Sequence, residues 1–260
     1  MTRSSLAAVF GGLVLLAATT PASAWTPQYH EQVAVQSARL MPGSLTRVLA
    51  QHQGRLREGA RAPLKLGANE SLYLHAGGSY GSLDQSILVQ SQRVLDLLQA
   101  HSGFDVVAYE MGVLSHLVSL ANCPTNVAAD DPREPQWGPR FQSYAESRIP
   151  KFRVVFDGYL TPTLGRDDIR GFARGIADRS RRHYPLIARA YLNDDGSVKS
   201  NGSFSDQHAV FGIASLAYSR SIADTAKIWL YLWIKADGDT TDLPFPQGLS
   251  QPTLVKANRQ

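Results

Sequence analysis

The chain has 260 residues, 43% of them hydrophobic and 18% charged, with a formal net charge of +4 at pH 7. This is enough apolar material for a substantial core and excludes a disordered chain, while the charge is too weak and too dispersed to argue for nucleic acid by itself. Cys123 is the sole cysteine, so no intrachain disulfide can form, and stability must come from packing or from a metal ion.

Taken in chain order, residues 1–24 read as a secretory signal. Arg3 supplies the positive end, 6–18 form the apolar run, and Ala22-Ser23-Ala24 fits the small-x-small cleavage rule. The expected compartment is therefore the periplasm or the exterior. Cleavage leaves Trp25 first, and a free α-amino nitrogen together with its own carbonyl oxygen can chelate one metal ion. Thr26 is placed to cap a helix with Pro27 at its first position. His30 then shares a face with Val33, Ser37, Leu40 and Met41, so its imidazole points inward. Met41-Pro42-Gly43 ends that helix.

A second helix is expected over about 44–57, with Leu45, Val48 and Leu49 on one face. Residues 59–85 look irregular, because Pro63, Gly67, Gly77, Gly78 and Gly81 break any period. Helical spacing returns over 86–100. Residues 105–121 are apolar nearly all round, the signature of a buried central helix, and His116 sits in its middle. Cys123-Pro124 ends it, and a polar loop is expected to Pro139. Further helices are expected over 140–149 and 168–191, the latter rich in arginine and broken or kinked at Pro185. Asn193-Asp194-Asp195-Gly196 marks a turn, 208–236 carry a long helical pattern, and 239–260 form an irregular tail. After the signal, no charge-free apolar run is long enough to span a membrane. The pattern is a single all-α domain over 25–238.

A histidine in an apolar helix is either a hydrogen-bonded core residue or a metal ligand. The frame around His116 favours the second. Met111-Gly112-Val113-Leu114-Ser115-His116 runs on to Asn122-Cys123-Pro124-Thr125-Asn126. This resembles the zinc-dependent phospholipase C / P1 nuclease family, in which a His is followed by an Asp four residues later, a Pro eight later and a second His ten later. His and Asp at that spacing share a helix face and can reach one metal, and the Pro turns the next His back to it. His116 and Pro124 keep the register. Leu120 stands in place of the bridging Asp and Asn126 in place of the second His. Gln142-Ser143-Tyr144-Ala145-Glu146 resembles the family's His-x-x-x-Glu helix, with Gln142 for the His. The segment 222–229 resembles the family's C-terminal helix.

The resemblance implies Trp25, His30, His75 and His116 as retained metal ligands. It also implies a carboxylate ahead of His75, for which Glu70 is the choice and Glu58 the rival. Glu146 is retained as a ligand position, and Glu70 or Glu146 is the expected group to orient the attacking water. Losing the bridging Asp removes charge that would hold two cations together, so the expectation is one or two zinc ions, or none. The implied activity is hydrolysis of a phosphoric ester such as a phospholipid, with nucleic-acid phosphodiesters in the same chemical class. The alternative is a non-catalytic structural or binding protein of the periplasm on the same fold. Two other features are blander. Arg181-Arg182-His183 reads as a solvated helix face before it reads as an anion patch, and Asp206 and His208 read as a helix cap.

Overall fold

Helix starts are where the local chemistry of this chain is most explicit. In the computed structural model, which describes residues 25–63, 70–128, 131–200 and 204–244, α1 spans Pro27–Ala38. The Thr26 hydroxyl accepts from the Tyr29 N–H, and Pro27 occupies the first turn, where its missing donor costs nothing. The expected export signal, and residues 245–260 of the expected tail, lie outside the described residues.

The single helix expected over 44–57 is two, α2 (Gly43–Gln51) and α3 (Gln53–Arg61). They part at His52, whose backbone (φ −103, ψ 25) leaves the helical region, while the nearest breaker, Gly54, already lies inside α3. The break lets Leu45 and Leu49 stay in the core while α3 turns Leu56, Gly59 and Ala60 toward α5. Between α3 and the next long helix, the described part of the irregular stretch holds two one-turn 3₁₀ helices, at Glu70–Leu72 and Ala76–Gly78.

Two long helices follow, α4 (Leu83–Gln99) and α5 (Phe104–Ala121). By length and composition α5 could cross a membrane, but 72% of it is buried inside the fold. It packs against α3, α4, α1 and the last helix, which makes it the axis of the core. Pro124 opens a short α6 (Pro124–Val127). The loop expected to reach Pro139 instead gives way to α7 (Glu134–Arg148), with Pro135 in its first turn. After α8 (Pro162–Gly165) come α9 (Ile169–Arg181) and α10 (Tyr184–Tyr191), separated because Pro185 starts a new helix rather than kinking one. The turn at 193–197 brings Leu192 and Val198 into an isolated bridge, and no strand is present among the described residues. Finally α11 (Ala209–Lys235), at 27 residues, is the longest helix among the described residues, with Trp229 fully buried. The domain is all-α.

Candidate metal centre

The contact that organises the centre is the crossing of α3 and α5. A methyl group on Gly112 would stand 2.2 Å from the Leu56 carbonyl oxygen, and one on Gly59 would stand 1.9 Å from that of Tyr109. Only glycine allows the two backbones to approach so closely. One turn after Gly112, on the same face of α5, lies His116. Its Nδ1 donates to the carbonyl of Ala60 at 2.7 Å. That carbonyl is in the last turn of α3, beyond which no backbone donor of the helix remains. The imidazole therefore acts as a side-chain cap. Because a carbonyl can only accept, Nδ1 carries the proton and the Nε2 of the neutral ring keeps a lone pair.

His30, from α1, stacks on His116 with ring centroids 3.6 Å apart and planes inclined by 14°. Its Nδ1 lies 2.7 Å from the Ser119 hydroxyl oxygen. That hydroxyl already donates to the His116 carbonyl at 2.7 Å, so it accepts from His30 and fixes the same tautomer. The Nε2 of His30 is buried and, among the described residues, no protein group hydrogen-bonds it. Burial pushes the pKa of His116 down from 6.5 to about 4. His30 is also held well below its ordinary value, first by burial and then by the neighbouring His116, with the Trp25 backbone pulling the other way. Both rings are thus neutral near pH 7, the form in which imidazole binds a metal.

Trp25 completes this corner. It is fully buried, stacks on Tyr29 at 4.2 Å, and its indole N–H donates to the Ser119 carbonyl at 3.1 Å. The Ser119 carbonyl belongs to the last turn of α5 and would otherwise lack a partner. Trp25, His30 and His116 are therefore brought together by hydrogen bonds to Ser119 and Ala60. Sequence reasoning did not single out either partner. Ser119, three residues after His116, was the one visible signal.

The other expected site residues lie apart from this pair. Among the described residues, no three His, Cys, Asp or Glu side chains stand close enough to share a metal ion. His75 is buried beside the rings of Tyr73 and Tyr80 and forms a wall of two cavities, of about 460 and 660 Å³. Glu70 is exposed at the head of a 3₁₀ turn, Glu146 is half-buried on α7, and Glu58 is exposed and paired with Arg55. Leu120 is buried in the hydrophobic core, one turn after His116. The Asn126 amide donates to the Leu72 carbonyl at 2.6 Å, and Gln142 is buried. Leu120 thus serves packing and Asn126 backbone structure.

Zinc takes four ligands in a closed site, and three protein ligands in an open one. The Nε2 lone pairs of His30 and His116, with the amine and carbonyl of a Trp25 freed at its N-terminus, are sufficient donors for one such ion. Leu120, one turn after His116, offers no oxygen to a second ion.

No family model and no curated protein matches the chain. Solved structures do. The alpha-toxin of Clostridium perfringens from an avian strain superposes with a TM-score of 0.62 at 15% identity, over 81% of this chain and 64% of that one. The alpha toxin from Clostridium absonum gives 0.59 at 13% identity, over 80% and 63%. The chain thus spans less than two thirds of the length of either toxin. At such identities the likeness establishes a shared helical fold.

Proposed function

We propose that this chain is an exported phosphoric-ester hydrolase of the phospholipase C type whose centre is reduced to a single zinc ion. The observation that carries the reading is the stacked pair of neutral imidazoles. Each has its Nδ1 proton committed to a fixed acceptor and its Nε2 lone pair left over, beside the buried Trp25 backbone. Outer hydrogen bonds of this kind are what orient metal-ligating histidines. The clostridial fold supports the same reading, as does the resemblance in the frame from Gly112 to Pro124.

Bound there, the ion would be held by Trp25, His30 and His116, and it would supply Lewis acidity to a phosphoryl oxygen or a water. The protein's own contribution is positioning. Ala60 and Ser119 lock the tautomers, the α3–α5 crossing fixes the ring plane of His116, and the surrounding core excludes water from the rings. His75 lines both neighbouring cavities, where a phosphoric ester would have room to bind. Glu146 and Glu70 are the candidates for orienting water from outside the ion's own ligands.

A second reading, a non-catalytic binding protein, is favoured by Leu120 and Asn126, which occupy ligand positions with an apolar side chain and an amide already engaged. The two readings separate in one experiment on protein that begins at Trp25. Zinc content is measured by mass spectrometry, and turnover is followed on phosphatidylcholine vesicles and on bis(p-nitrophenyl) phosphate. The hydrolase reading expects one zinc per chain and slow turnover that disappears with chelator and in His116→Ala. Stoichiometric zinc without turnover selects the binding protein, and absence of zinc rejects both the centre and its ligands.

A further inference from the structure

The larger cavity beside His75 has a wall that the metal centre does not use. It lies between the start of α4 and one face of α9, and its charged lining is Asp84, Arg170, Arg174, Asp178 and Arg181. On α9 the last four recur at helical spacing, which puts them on one face.

Asp84 is the anchor. Its side chain is 4% exposed, and a single oxygen, Oδ2, accepts from both Arg174 Nε at 2.8 Å and Arg170 Nε at 3.2 Å. The other oxygen accepts from the Gln85 N–H at 2.9 Å. One buried carboxylate therefore holds two guanidinium groups together, though it can neutralise only one. Arg181 is fixed separately: its three nitrogens donate to the carbonyls of Val127 and Leu74 and to Asp178. Three guanidiniums face two carboxylates, which leaves the wall with a net positive charge. Among the described residues, both terminal nitrogens of Arg174 are without a hydrogen-bond acceptor, and they carry four N–H donors at the cavity.

We infer that this cavity binds a phosphate group through Arg170 and Arg174. Two like charges held close by one buried countercharge repel each other, and an oxyanion between the two terminal nitrogens of Arg174 and the Nη1 of Arg170, whose Nε and Nη2 both face Asp84, relieves that repulsion. The planar guanidinium fork matches a tetrahedral oxyanion in a bidentate way that a lysine would not. The volume of about 660 Å³ exceeds that of a bare phosphate ion, so a phosphate ester, as a soluble metabolite or a lipid headgroup, is the class of ligand. This site stands on the arginine geometry and needs no metal, so its failure leaves the zinc reading untouched.

The test is run on the full folded chain in the presence of a chelator. Inorganic phosphate is titrated calorimetrically at low ionic strength, and binding to vesicles of phosphatidylglycerol in phosphatidylcholine is measured by co-sedimentation. Arg174→Gln, at a side chain 58% exposed, should fold as the parent does and lower affinity about tenfold or more, by loss of a charge-assisted pair. Arg174→Lys keeps the charge without the fork and should recover only part of it. Arg47→Gln, an exposed arginine on α2, should change nothing. Saturable phosphate binding lost in Arg174→Gln supports the site with a soluble ligand. Vesicle binding lost in Arg174→Gln, without phosphate binding, supports it with a headgroup. Binding in neither arm, or an equal loss in Arg47→Gln, overturns it. Broadening of the free phosphate resonance by the unmodified protein gives a readout independent of any variant.

Discussion

At the scale of single residues, the stacked histidines make the protein acid-sensitive in a definable window. His116 titrates near 4 in the fold against an ordinary 6.5. An unfolded chain therefore takes up a proton below pH 6.5 that the folded chain refuses until about pH 4. Stability is full above 6.5 and is lost as pH falls through this window. For His116 the loss approaches about 3 kcal/mol, and His30 adds to it in the same direction. Urea unfolding of metal-free protein at several pH values should show this slope, and His116→Gln should flatten it; a parallel slope in the variant would place the acid sensitivity elsewhere. Leu120 gives the converse test. Leu120→Asp should raise zinc content above that of the parent, yet cost the metal-free form several kcal/mol, because an unpaired carboxylate would lie in the core. Unchanged zinc would mean that Leu120 does not face the ion.

Between elements, the α3–α5 crossing is where packing becomes chemistry. Gly112→Ala would drive a methyl against the Leu56 carbonyl, a backbone atom that cannot step aside alone. The expected cost is about 2–3 kcal/mol, and the separation of the helices should also withdraw the Ala60 carbonyl from His116. The two effects can be read together: thermal unfolding reports the first, and imidazole nitrogen NMR of the His116 tautomer reports the second. A destabilised variant with the tautomer unchanged would detach the site from the crossing. A second junction is made by charge. Asp224 of α11 is buried and receives Arg179 at 2.7 Å and the Asn122 amide at 3.1 Å. Burial raises its pKa despite these partners. Arg179→Met should cost about 3–5 kcal/mol, more than Asp224→Asn, because it leaves a buried carboxylate short of its counterion. The reverse order in denaturant unfolding would show that the pair is expendable.

For the molecule as a whole, the proposed centre links processing to stability. The Trp25 amine exists only when nothing precedes it; otherwise that nitrogen is an amide and a poor ligand. Zinc at about a hundred times its dissociation constant should therefore add about 2.7 kcal/mol to a chain beginning at Trp25, and far less to one that retains residues 1–24. Calorimetric scans of the two forms with and without zinc make the comparison, and equal shifts would remove Trp25 from the ligand set.

How much of this was legible without coordinates follows from where each signal lives. The first helix, the buried central helix and the long last helix were readable because capping chemistry and apolar periodicity are local. The inward placement of His30 and His116 followed from the same periodicity. The break at His52 was not readable, since the nearest breaker, Gly54, falls inside the second helix, and the start of α7 was masked because Pro135 reads as loop while serving in the first turn and Pro139 lies within the helix. The tautomers of the two histidines depend on Ser119 and on a carbonyl fifty-six positions away in sequence. The convergence of Arg170 and Arg174 on Asp84 likewise joins two distant helices. The sequence by itself determined the helical class, the core faces and which side chains have the chemistry to bind a metal or an anion. Only the tertiary structure decided which of them meet, because hydrogen-bond partners, close backbone approach and loss of water are properties of packed surfaces, which residue order alone does not state.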